Sequence, residues 1–137
     1  MSHDPALVKD TQAWLAKALM DLRAADHLLG AVPPLLGDVA FHSQQAAEKA
    51  LKGFLAWHDE PFHKTHNLEE VGRQALCFDA TLQPLVDRAG ELTEYAWKFR
   101  YPGELEEPPL PEAEAALDLA REIYTAILAR LPAEVRP

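Results

Sequence analysis

Phe41-His42-Ser43-Gln44-Gln45-Ala46-Ala47-Glu48-Lys49-Ala50-Leu51-Lys52 is the stretch on which the fold turns. Its spacing predicts a helix: Ala40, Gln44, Ala47, Leu51 and Leu55 fall on one face at helical intervals. That stripe carries an amide at Gln44, and the Glu48 carboxylate lies beside it, four residues on. A helix with only a packing role takes Leu, Ile or Ala there, because burying an unpartnered polar group costs about 1–3 kcal/mol. The adjoining face, with His42, Gln45, Lys49 and Lys52, offers donors and positive charge to an anion. Two readings stand side by side. Either Gln44 and Glu48 staple two helices while Lys49 and Lys52 solubilise, or these side chains form a binding site.

On the N-terminal side, Asp4-Pro5 reads as an N-cap followed by proline at the first helical position. Helix one then runs to about Gly30, with Leu15, Ala18, Leu19, Leu22, Ala25 and Leu29 on one stripe. Asp21, Arg23 and His27 are read off that stripe. Val32-Pro33-Pro34 breaks the helix, since a residue before proline avoids the α region. The short connection predicts that helix two, capped by Asp38 and ending near Trp57 or His58, folds back antiparallel.

On the C-terminal side, residues 58–66 are polar and interrupted by Pro61. Asn67, with Glu70 three residues on, predicts the start of a short helix three ending near Cys77 or Phe78. Helix four begins at Thr81 or Gln83 and ends at Arg100-Tyr101-Pro102-Gly103. Glu104 to Pro111 is an acidic, proline-rich connector, expected to run extended over the surface. Helix five begins near Pro111. The expectation is an all-α, up-and-down bundle of about four long helices plus one short one, as a single domain over residues 1–137.

The composition narrows the function. A net charge of −9 argues against coating a long nucleic acid electrostatically. Between His42 and His66, however, Lys49, Lys52 and Lys64 balance Glu48, Asp59 and Glu60, so a local anion site is compatible with the acidic whole. No apolar run reaches the ~20 residues of a membrane span. A single cysteine, Cys77, precludes an internal disulfide and fits a cytoplasmic protein; set between Leu76 and Phe78, it reads as a buried, inert thiol. His58, His63 and His66 with Asp59 and Glu60 have metal-ligand chemistry, but Pro61 takes Glu60-x-x-His63 off a helix, so no metal is expected. With no P-loop or dinucleotide fingerprint, no cofactor is expected either.

Three blocks resemble the HEPN family (higher eukaryotes and prokaryotes nucleotide-binding domain), in the family's order: residues 41–52, then Thr65-His66-Asn67-Leu68, then Tyr95 with Arg100-Tyr101-Pro102. The resemblance covers roughly residues 10–130. It implies a small helical bundle, usually a homodimer, and often a minimal nucleotidyltransferase as the partner in a toxin–antitoxin pair. Many members are metal-independent ribonucleases, and others are non-catalytic nucleotide- or RNA-binding modules. The catalytic members carry an Arg followed, after four to six residues, by a His near the end of a late helix. Here no His follows Arg100 through Pro137, and none follows Arg73 at that spacing. Arg23 and His27 have the wrong spacing and lie in helix one. The departure favours a non-catalytic module, with a structural subunit as a further alternative.

The ligand-binding set expected on these grounds is Gln44, Glu48, Lys49, Lys52, His66, Tyr95, Arg100 and Tyr101. His66 is also the natural acid–base group if a ribonuclease site is rearranged, with Arg100 as its companion. Each has a bland alternative: His66 caps helix three, Arg100 pairs with Glu48 or another helix-two acid, and Tyr95 and Tyr101 are partly buried at a helix end. Arg100 suits phosphate because its guanidinium is a planar, two-pronged donor. Trp57, Phe62, Trp97 and Phe99, large apolar groups near helix ends, suggest a dimer surface.

Overall fold

The computed structural model describes residues 3–62, 64–103 and 106–137, so His63 and Glu104 lie outside the described residues. The chain forms α1 (Pro5–Leu29), α2 (Leu36–Trp57), α3 (Leu68–Leu76), α4 (Gln83–Ala89) and α5 (Leu110–Ala129). Short 3-10 turns span Ala80–Leu82, Gly90–Ala96 and Ala133–Val135, and no strand occurs among the described residues. No helix among them is long and apolar enough to cross a membrane.

α2 is the central rod. Its most extensive packing is against α1, then α5, while α3 and the Gly90–Ala96 turn cover its remaining side. Small residues permit this: Ala40, Ala46, Ala47 and Ala50 are fully buried. Gly53 faces α1 so closely that a Cβ there would lie 3.2 Å from atoms of Trp14 and Leu15. Leu15, Phe54, Leu55, Leu117 and Ile127 complete one continuous core. A helix buried on nearly every side has few places for a polar group, which gives Gln44 and Glu48 their weight.

Asp4 caps α1 as expected, its carboxylate accepting from the Ala6 N–H at 2.9 Å with Pro5 in the first turn. Asn67 likewise caps α3, accepting from the Glu69 and Glu70 N–H groups at 3.0 and 3.3 Å. α2 departs from expectation. It begins at Leu36, and Asp38 stands in the first turn rather than at the cap. Leu35, at the cap position, has no side-chain acceptor; instead the Glu107 carboxylate accepts from the Gly37 N–H. A distant carboxylate thereby satisfies an orphan donor and meets the positive end of the helix dipole. The described part of the connector runs over the surface as expected, with Glu106, Glu107 and Pro109 exposed, and is pinned there by the Glu107 contact and by buried Pro108.

The fourth segment also differs. It starts at Gln83 with Pro84 in its first turn, but after Ala89 it tightens into the 3-10 turn and stops at Ala96. Gly90 lies against the Glu69 side chain, which occupies the space a Cβ would need. The stop comes before Pro102 and Gly103: Trp97 leaves helical geometry at φ −136°, and two residues on Phe99 takes a left-handed φ of 66°. That conformation is costly for an aromatic residue, of order 1–3 kcal/mol.

Two substitutions test this packing. Glu107→Ala should lower stability by about 1 kcal/mol through loss of the α2 cap. Gly72→Ala should cost about 1–3 kcal/mol, since its Cβ would fall 2.7 Å from Val86 Cγ1. Urea denaturation, with the open Gly30→Ala as control, measures both; an unchanged Gly72→Ala midpoint would mean that α3 and α4 pack loosely.

Candidate phosphate-binding surface

Glu48 is buried on α2, its side chain only 5 % exposed. Its Oε1 accepts from Gln44 Nε2 at 3.1 Å and from His66 Nδ1 at 2.7 Å. Its Oε2 accepts from Lys52 Nζ at 3.2 Å. The other Gln44 amide hydrogen goes to the His66 carbonyl at 3.2 Å, and Gln45 Nε2 donates to Gln44 Oε1 at 2.7 Å. α2 therefore grips both the backbone and the ring of His66, the residue immediately before the α3 cap. Because an ionised carboxylate only accepts, the His66 proton sits on Nδ1. Nε2 points away from Glu48, on a side chain 65 % exposed.

Lys52 balances the Glu48 charge from within the fold. Its ammonium lies 5.8 Å from the Trp14 ring and 5.3 Å from the Phe62 ring, which meet edge-to-face. Aromatic faces stabilise a desolvated cation. A lysine expected on an anion-binding face is instead an internal counter-ion.

Lys49 also meets α1, where its Nζ lies 2.6 Å from Asp21 Oδ2. Asp21 Oδ1 holds His42 Nδ1 at 2.8 Å. Asp21, read as lying off the helix-one stripe, is in fact buried. The signal was present: Ala18, Asp21 and Ala25 follow one another at three and four residues, so Asp21 shares their face.

Arg100 pairs not with Glu48 but with Asp38, another acid of α2. Its guanidinium stacks over Phe41, 3.6 Å from the ring centroid, and approaches Asp38 only to 3.8 Å. The left-handed turn at Phe99 brings the chain back across the start of α2, where Phe99 packs beside Gly37. Tyr101 is 78 % exposed. Tyr95 is not part of this surface: it is buried toward α5, lining a cavity of about 320 Å³ with Arg88, Glu91 and Glu112. Burial, then the charges and hydrogen bond of neighbouring glutamates led by Glu112, push its hydroxyl up to about 12.

The structure thus brings Gln44, Glu48, Lys52 and His66 into one network and sets Arg100 over Phe41 on the same helix. Lys49 and Tyr95 go elsewhere. His66 does not cap α3, a role taken by Asn67. Cys77 is exposed rather than buried, because α3 ends at Leu76 and the thiol lies outside the helix–core contact. Of the four large apolar groups, Trp57, Phe62 and Phe99 pack partly on the core and Trp97 stands exposed.

A family model described as HEPN domain matches residues 11–131. No curated protein and no solved structure matches the chain.

The network is testable by stability. Glu48→Ala should cost about 3 kcal/mol or more, since it leaves Lys52 buried without its partner. Adding Lys52→Met should recover part of that loss in a urea double-mutant cycle; strictly additive losses would deny the coupling. Tyr95 gives a pH signature. Its folded-state value near 12 exceeds the ordinary 10, so the unfolded chain releases the proton first. Stability should therefore fall as pH rises from 10 towards 12, by a total of about 2 kcal/mol. Tyr95→Phe should flatten that fall in alkaline denaturation.

Proposed function

Because the chain belongs to the HEPN domain family, we propose that it is a non-catalytic nucleotide- or RNA-binding module whose His66 and Arg100 contact phosphate. The observation that carries this reading is the burial of Glu48 beneath an exposed imidazole. A buried ion pair is often no better for stability than apolar residues of the same volume. Holding the His66 ring at a set angle is something apolar residues would not do. Arg100 adds a guanidinium whose plane is set by Phe41 and whose donors are only loosely engaged by Asp38. Tyr101 offers an exposed ring to a base. Gln44, Glu48 and Lys52 act as supports behind His66. The absence of any His after Arg100 supports binding without cleavage. Docking to a second copy and to a minimal nucleotidyltransferase, as a toxin–antitoxin pair in the cytoplasm, belongs to the same reading and rests on the family resemblance.

One observation favours a second reading, a metal-independent ribonuclease with a rearranged site. The 2.7 Å contact from His66 Nδ1 to Glu48 fixes the tautomer a general base requires, leaving Nε2 to take a proton. A single assay separates the two. Labelled RNA incubated with the protein should be retained on a filter and remain full length on a gel. His66→Ala and Arg100→Ala should each weaken retention about tenfold or more, a loss of one charge-assisted contact. RNA cut by the wild type and spared by His66→Ala would establish the second reading. No retention of ATP, GTP or RNA at all would overturn the first.

A further inference from the structure

α1 and α5 both pack on α2 but meet each other only sparsely, and a groove of about 360 Å³ opens between them. α1 lines it with Leu19, Leu22, Arg23 and Asp26, which helical spacing puts on one side of the rod. α5 lines it with Arg121, Tyr124 and Thr125. Leu22 and Tyr124 are buried and Leu19 is half-buried, so the floor is apolar.

The charged groups of the groove are unevenly committed. Arg121 Nη2 donates to Asp26 Oδ1 at 2.7 Å, tying α5 to α1, and Arg121 also reaches Asp118 at 3.6 Å. Arg23 forms no ion pair among the described residues. Its Nη1 meets only the Met20 thioether, a weak acceptor, at 3.8 Å. One guanidinium is therefore surplus in the groove, on a chain whose net charge is −9.

Tyr124 is the decisive group. It is only 8 % exposed, yet its hydroxyl has no hydrogen-bond partner among the described residues. Burial, with no neighbouring charge or hydrogen bond, pushes that hydroxyl's pKa up, which keeps it a neutral donor near pH 7. Buried tyrosine hydroxyls ordinarily find a partner, and one left unmet costs stability. Here the side chain lines the groove, so the acceptor missing from the fold has room to come from a guest.

The chemistry of the lining selects that guest. A two-pronged cation and a neutral donor call for an acceptor of one negative charge, and a carboxylate presents two oxygens to such a fork. A phosphate monoester, carrying about −1.5 to −2 charges near pH 7, would leave charge unmet beside Asp26. The apolar floor calls for hydrocarbon. A volume at the small end of ligand cavities has room for one ring or a short chain.

We propose that the α1–α5 groove binds a small monocarboxylic acid, its carboxylate on Arg23 and the Tyr124 hydroxyl and its hydrocarbon on Leu19 and Leu22. The site shares no residue with the surface around His66 and Arg100, so it stands or falls independently of nucleotide binding.

The probes are hexanoate and phenylpropionate, titrated into isotope-labelled protein and followed by backbone amide shifts in two-dimensional NMR. Phenylpropanamide, which keeps the shape and loses the charge, and inorganic phosphate run in parallel. At least one acid should shift the Arg23 and Thr125 amides saturably, with a Kd of about 1 mM or tighter, and phenylpropionate should bind about tenfold more tightly than its amide. Arg23→Gln, at an exposed residue without an ion pair, should abolish that preference. Tyr124→Phe should weaken the acid about three- to tenfold while leaving Tm unchanged or raised, because a hydroxyl without an internal partner does not hold the fold. A lowered Tm with unchanged affinity would mark it as a structural tyrosine and overturn the site. Amide binding as well as acid would reduce the groove to a bare apolar cleft. Phosphate binding more tightly than either acid, or no saturable shift with either up to about 10 mM, would equally refute the proposal.

Discussion

The Glu48 carboxylate is the constraint on which the architecture around α2 depends. A carboxylate so deeply buried must be met by donors on both oxygens, and each donor comes from a place that its contact then fixes. Gln44 fixes the backbone at His66, so the chain enters α3 at one height along α2. Lys52 fixes the approach of Trp14 on α1 and of Phe62 in the loop that follows α2. His66 carries the arrangement to the surface. One charge thus registers α1, α2 and the start of α3 against each other, where an apolar side chain would have tolerated several packings.

The rest of the surface is built by bringing distant segments to α2 rather than by loops of its own. The Phe99 turn returns Arg100 to Phe41, and Glu107 returns the connector to Gly37. Both act on the first turns of α2, one at a cost in backbone strain and the other as a cap. Strain in an aromatic residue persists only where its surroundings hold it, and here they hold a guanidinium flat against a ring.

Much of the fold could be read in the chain itself. The Ala40, Gln44, Ala47, Leu51 and Leu55 stripe is buried along its length, and Asp4, Asn67 and Pro84 mark helix starts as their chemistry demands. Those signals are local, carried within one or two turns. What escaped was set by partners far along the chain. Nothing near Gly37 indicates that a carboxylate seventy residues on will cap it. Nothing near Phe99 announces a left-handed turn, since Pro102 and Gly103 offer the stronger stop signal. In the candidate site the same distinction holds. Gln44, Glu48 and His66 were singled out by polarity on an apolar stripe and by the family blocks, and they meet. The partners of Lys49, Lys52 and Tyr95 were not legible, because which neighbour a long side chain finds depends on the packing of α1 and α5. His42 was on the face singled out, but its pairing with Asp21 escaped, because an acid in helix one and a histidine in helix two show no relation until the helices pair.

The slot formed by Trp14 and Phe62 has a consequence for reactivity. An amine set against two rings and hydrogen-bonded to a carboxylate is poorly open to approach, whereas Lys9 and Lys17 stand exposed on α1. Acylating reagents will therefore mark Lys9 and Lys17 long before Lys52. The rate at which Lys52 is acylated follows the opening of the slot, and so becomes a chemical clock for the coming apart of α1 and α2.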